Sequence, residues 1–147
     1  MHSRPTVLCV DDFKPGLLIR KVFLEQFGFE VLIASNGIEA IELVRVQKID
    51  AVVMDYSMPG MDGEELAIRI RQISQDIPLL LLSGFAREIP VGLRKSVNFY
   101  LTKGDAPGLL VSALNHMTST STEQRRTQKK NVVSIDHAGL RSKRKSV

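Results

Sequence analysis

The sequence predicts an α/β fold: a doubly wound, five-stranded parallel sheet of order 2-1-3-4-5 with helices on both faces. Two observations predict it: across residues 6–118, five short apolar, β-rich runs alternate with stretches of helical period, and the connections between them are short. A third observation shows where such a sheet would act. Residues 51–54 (AVVM) are apolar at every position, as suits a strand covered on both faces, and the run ends on a single carboxylate, Asp55, before a Pro/Gly loop. Parallel sheets of this kind bind ligands beyond the carboxyl ends of their strands.

Residues 6–10 form the first predicted strand and end on Asp11-Asp12, and Pro15 suits the first turn of the helix that follows. In that helix, residues 17–27, the apolar positions Leu17, Leu18, Val22, Phe23 and Phe27 recur at helical spacing until Gly28 stops it. Residues 29–34 are the second strand, and Asn36-Gly37 turns the chain into a helix over 38–46 with Ile38, Ile41, Leu43 and Val44 on or near one face. After the third strand, Pro59, Gly60 and Gly63 force a loop that leaves Asp55 open to small ligands. A helix over 64–73 places Leu66, Ile70 and Ile73 inward and Arg69 and Arg71 outward. Pro78 leads into the apolar fourth strand, 79–82, which ends on Ser83-Gly84. Pro90 and Gly92 interrupt residues 85–96, so a short or irregular helix is expected there. The fifth strand, 97–102, ends on Lys103, and Pro107 opens a last helix through Leu109, Leu110, Ala113, Leu114 and Met117.

With strands in the order 2-1-3-4-5, the chain reverses between strands one and three. Asp11 and Asp12 then lie beside Asp55, and Ser83 and Lys103 reach the same edge. Carboxylates gathered this closely repel one another unless a cation joins them. A hard, oxygen-seeking ion such as Mg²⁺ is the natural partner, and it commonly shares a phosphate oxygen with its substrate. Lys103 suits a further anionic oxygen, the Ser83 hydroxyl can donate to another, and Asp55 is placed to attack phosphorus. Taken singly, each residue reads as a cap, a solvated turn or a surface lysine. Together they end the strands of one sheet, which no structural need explains.

The acidic pair Asp11-Asp12, the run Asp55-Tyr56-Ser57-Met58-Pro59-Gly60-Met61-Asp62-Gly63, Ser83-Gly84 and Tyr100-Leu101-Thr102-Lys103 give the chain a family likeness. Over residues 4–117 it resembles a bacterial two-component response-regulator receiver domain, here in stand-alone form. The resemblance implies a flavodoxin-like fold and a signalling function in a phosphorelay, with no enzymatic activity beyond self-phosphorylation and slow autodephosphorylation. It implies Asp55 as phospho-acceptor, Mg²⁺ held by Asp11, Asp12, Asp55 and the Ser57 backbone carbonyl, Lys103 on a phosphoryl oxygen, Ser83 as switch hydroxyl and Tyr100 as rotating aromatic. The implied partners are a sensor histidine kinase or phosphotransfer protein and a separate downstream protein. One departure is Gly104, which stands where the family usually has a proline in a cis peptide; without proline the Lys103–Gly104 bond is expected to be trans.

Two other readings use the same residues. A module of the same fold could act without phosphorylation. A haloacid-dehalogenase-type phosphatase also uses a strand-end aspartate, Mg²⁺, Ser/Thr and Lys, but it carries a DxD nucleophile on its first strand, whereas Asp55 is on the third and Ser57 stands in the second acid's place.

Composition bounds the rest. The 147 residues suit one domain and a tail. The net charge of +4 is unevenly distributed: residues 1–118 hold 12 Lys and Arg against 14 Asp and Glu, whereas residues 119–147 hold 8 against 2. A receiver domain over 1–118 and a basic, disordered tail over 119–147 are expected, and any nucleic-acid contact of that tail should be non-specific. The N-terminus does not read as a signal peptide and no run is long enough to span a bilayer, so a cytoplasmic location without membrane insertion is expected. Cys9, single and within an apolar run, is expected to be a buried thiol.

Overall fold

In a computed structural model, residues 3–85, 89–119, 131–135 and 141–145 are described. Five strands, β1 (Thr6–Val10), β2 (Glu30–Ala34), β3 (Ala51–Asp55), β4 (Leu79–Ser83) and β5 (Phe99–Thr102), form one sheet in the order β2-β1-β3-β4-β5. All its pairings are parallel. Helices α1 (Lys14–Gln26), α2 (Gly37–Val46), α3 (Gly63–Ile73), α4 (Val91–Ser96) and α5 (Pro107–Ser119) connect and follow the strands. Side-chain alternation divides the core in two. Cys9, Val53, Leu80 and Leu101 face α1 and α5, while Leu8, Val52, Leu79 and Leu81 face α2, α3 and α4. Because both faces are covered, β3 and β4 are buried along their whole length, as their unbroken apolar sequences require.

Three helices bury fewer apolar residues than the periodicity suggests. On α1, Leu17 and Leu24 are buried and Phe23 packs partly against the same core, whereas Leu18, Val22 and, just past the helix end, Phe27 are exposed. On α2, Ile41 and Val44 are buried but Ile38 is exposed, and on α3 Ile73 emerges at the helix end. In each case the apolar stripe is wider than the strip of sheet available to it. Arg71, expected outside, folds back over the end of α3. Its Nη1 donates to the Ile77 carbonyl at 2.6 Å and its Nη2 to Asn98 Oδ1 at 3.3 Å, and burial lowers its pKa from the usual value. The same Asn98 oxygen accepts the Leu79 amide at 2.9 Å, tying the starts of β4 and β5 together.

Helix α4 is short, as the Pro90 and Gly92 interruptions imply; residues 86–88 of the expected segment lie outside the described residues. No cis peptide occurs among the described residues, and Lys103–Gly104 is trans. Of the segment expected to form a basic tail, two stretches are described beyond α5: β6 (Asn131–Ile135) and β7 (Arg141–Lys145) pair antiparallel, with Asn131 opposite Lys145. The β-branched run in β6 is too short to be stable alone, and here it lies beside β5 and α4. No helix among the described residues is long and apolar enough to cross a membrane.

Gly63 opens α3 against the end of β3. A Cβ there would lie 2.8 Å from the Tyr56 Cα and 2.9 Å from the Asp55 carbonyl oxygen, and both are backbone atoms that cannot rotate away. Gly63→Ala is therefore expected to destabilise the fold by about 2 kcal/mol, measured by urea denaturation, with a loss near zero showing that the loop relaxes freely.

Candidate functional site

The site is built by register. Val10 pairs with Met54, so Asp11 follows β1 beside Asp55 at the end of β3. Asp55 pairs with Leu82, Leu82 with Leu101 and Ser83 with Thr102, which carries Lys103 just past the same edge. Two backbone bonds hold the edge together beyond the strands: Tyr56 N–H to the Leu82 carbonyl and Lys103 N–H to the Ser83 carbonyl, both 2.8 Å.

Asp11, Asp12 and Asp55 each present a carboxylate oxygen within 4.8 Å of the others. Asp11 and Asp55 are buried and Asp12 is exposed, so the cluster is open on one side. Lys103 Nζ donates to Asp55 Oδ2 at 3.0 Å and lies 3.6 Å from Asp11 Oδ2. Burial raises the Asp55 pKa above the ordinary aspartate value; the Lys103 hydrogen bond opposes this, Asp11 adds to it, and the Ser57 amide lowers it again. Asp11 Oδ1 accepts the Phe13 amide at 3.0 Å. The donor set of three carboxylates, open to solvent on one side, fits a hard divalent cation that keeps part of its water shell.

The remaining residues singled out in the sequence lie around this cluster. Ser57 is exposed in the loop after β3. Ser83 is buried, its Oγ donating to the Phe85 carbonyl at 2.7 Å and accepting the Phe85 amide at 3.2 Å. Tyr100 is half-buried on the face that carries α4, with the Arg94 guanidinium 5.4 Å above its ring. The loop residues are anchored by Asp62, which caps α3 by accepting the Glu65 amide at 2.9 Å, and by Gly63 N–H to the Tyr56 carbonyl at 2.8 Å.

One charged neighbour was missed. Arg20 of α1 reaches the cluster from the side, its Nη1 lying 3.5 Å from Asp11 Oδ2. A signal for it exists in the sequence: Arg20 falls on the stripe of Leu17 and Leu24, which are buried, and a cation on a buried stripe needs a counter-charge. Cys9 is buried as expected, and burial pushes its thiol pKa to about 12.

The family model described as the response regulator receiver domain matches residues 7–115. The chain belongs to this family. Receiver domains are signalling modules, and this one has their flavodoxin-like sheet. It is 37% identical over 106 residues to the sensor histidine kinase GacS of Pseudomonas protegens, covering 67% of this chain and 12% of that protein. It is 34% identical over 113 residues to the phosphate regulon transcriptional regulatory protein PhoB of Pseudomonas aeruginosa, covering 74% of this chain and 49% of that protein. The chain thus spans a small part of its kinase relatives and about half of PhoB. Among solved structures, the response regulator TrrA from Thermotoga maritima in complex with Mg²⁺-BeF superposes with a TM-score of 0.73 at 26% identity, covering 77% of this chain and 98% of that one. A Francisella response regulator receiver domain gives 0.72 at 29%, covering 79% and 98%.

The raised pKa of Asp55 makes a prediction for this receiver in metal-free buffer. A carboxylate whose folded pKa exceeds its unfolded value costs stability when ionised: the cost is complete above the folded pKa and vanishes below the unfolded one. Asp55→Asn should therefore melt at a higher temperature than the parent chain at neutral pH in chelator. The gap should close as the pH falls below the unfolded aspartate range, about 4. A lower melting temperature at neutral pH would show that the Lys103 pair outweighs desolvation.

Proposed function

We propose that the protein is a phospho-accepting receiver in which Asp55 takes a phosphoryl group from a phosphohistidine on a sensor kinase or phosphotransfer protein. The observation that carries this reading is Asp55 itself: a buried strand-end carboxylate paired with Lys103 at 3.0 Å and gathered with Asp11 and Asp12. An Asp55 carboxylate oxygen attacks phosphorus, the P–N bond breaks, and the imidazole leaves with the bond's electron pair and takes up a proton. The product is an acyl phosphate, which water later hydrolyses back to Asp55. Lys103 moves its charge from the carboxylate to a phosphoryl oxygen as negative charge shifts outward. Asp11, Asp12, Asp55 and the Ser57 carbonyl would hold Mg²⁺, which when bound offsets charge on the phosphoryl oxygens.

In this reading Ser83 is the switch. Its hydroxyl now serves the Phe85 backbone, and turning it to a phosphoryl oxygen releases that loop. Tyr100 then repacks against α4, where Arg94 covers its ring. The shift needs only about 1–3 kcal/mol of coupling to alter a partner surface made of α4 and β5. A separate downstream protein would read that surface. For this phosphoryl transfer we propose a cytoplasmic site of action. For the basic residues of the tail we propose no sequence-specific nucleic-acid contact.

With a small-molecule phosphodonor and Mg²⁺, the chain should take up hydroxylamine-labile phosphate. Asp55→Asn should abolish the label and Asp12→Ala should reduce it at least tenfold, as should excess chelator. Absence of labile phosphate in the parent chain would leave a phosphorylation-independent module. Ser83→Ala should still label but lose the change in amide exchange over residues 89–103; an unchanged exchange response in Ser83→Ala would remove Ser83 from the switch.

A further inference from the structure

Receiver chemistry accounts for Lys103 but not for the second cation at the cluster. Arg20 sits on the buried stripe of α1 with its side chain only 15% exposed, and its Nη1 approaches Asp11 Oδ2 at 3.5 Å. That nitrogen is buried and has no hydrogen-bond partner among the described residues, so it faces Asp11 as an ion pair alone. Asp11 is then fully engaged: Oδ1 with the Phe13 amide, Oδ2 with Arg20 and Lys103. Three carboxylates thus face two cations, where Lys103 alone would leave the cluster more negative by one charge. Arg20 also lines an open cleft of about 380 Å³ between α1 and the β5–α5 turn, beside Ile19, Phe23, Leu101 and Pro107.

We propose that Arg20 is a positioning residue of the acidic site: it neutralises Asp11 in the metal-free protein and yields to a divalent cation when one enters. The inference rests on the reading of the cluster as a Mg²⁺ site. Arg20 does not ligate. It sets the charge against which the cation competes, stabilising the empty site and weakening cation binding. An entering cation takes over the compensation of Asp11, so that carboxylate is not left as an unpaired buried charge, and Arg20 Nη1 has no hydrogen bond to lose.

The test compares the full chain with Arg20→Met, whose side chain suits the apolar cavity wall, and Arg20→Lys. Mg²⁺ binding is measured by calorimetry, and melting temperatures are taken in chelator and in saturating Mg²⁺. Removing a unit charge at this range should tighten Mg²⁺ about three- to tenfold in Arg20→Met. The same variant should melt lower in chelator and gain more on adding Mg²⁺, since ligand stabilisation follows affinity. Arg20→Lys should stay within about twofold of the parent chain because the charge remains. Should Arg20→Met not fold without metal, Arg20→Gln is read by the same criterion. Equal or weaker Mg²⁺ binding in the neutral variants overturns the proposal while leaving the metal site intact. Absence of Mg²⁺ binding by the parent chain overturns both.

Discussion

The bridge from Lys103 to Asp55, spanning 48 residues of sequence at 3.0 Å, is the constraint on which the acidic edge depends. Two buried aspartates and an exposed third cannot sit within 4.8 Å in the absence of positive charge without a heavy electrostatic cost. Lys103 can supply that charge only because β5 lies two strands from β3 in the same sheet and ends level with it. The parallel register is therefore as much a part of the site as the side chains. A one-residue slip of β5 would turn Tyr100 and Leu101 to opposite faces and move Lys103 off the edge.

The site combines a rigid floor with adjustable walls. Asp55 ends a strand that is buried throughout, braced by the Tyr56 and Lys103 amide bonds, so its carboxylate is held without depending on the loop. The loop that covers it is fixed at its far end by the Asp62 cap and by the close approach of Gly63 to the β3 backbone. Opposite lie a six-residue α4, Ser83 whose hydroxyl bonds the backbone of Phe85 two residues on, and Tyr100 half-buried beneath Arg94. A change of charge at Asp55 would meet its least resistance on that side, and β6 of the tail borders it. Signalling by population shift needs this contrast between a fixed reacting group and a loosely held neighbour.

The strands were legible because their sequences have no other use for four consecutive apolar residues, and their polar ends fall where parallel sheets open to solvent. β1, β3 and β4 were read within a residue, and Asp11, Asp12, Asp55, Ser83 and Lys103 followed from them. The helix faces were less legible. Leu18, Val22, Phe27 and Ile38 satisfy helical spacing yet remain exposed, because periodicity defines a stripe but not the width of sheet beneath it. Arg71 was misread for a related reason: a long side chain can fold back to carbonyls several residues away, as it does to Ile77.

The sequence by itself determined the sheet, its order and the residues brought to its carboxyl edge, since apolar runs, short connections and right-handed crossovers leave few topologies. Only the tertiary structure decided how the edge is balanced. That Arg20 reaches Asp11 depends on the rotation of α1 about its axis, that Ser83 bonds Phe85 depends on the path of a loop, and that β6 borders β5 depends on where a distant segment finds an open edge. These are contacts between groups far apart or freely rotating in the chain, and local pattern does not encode their geometry.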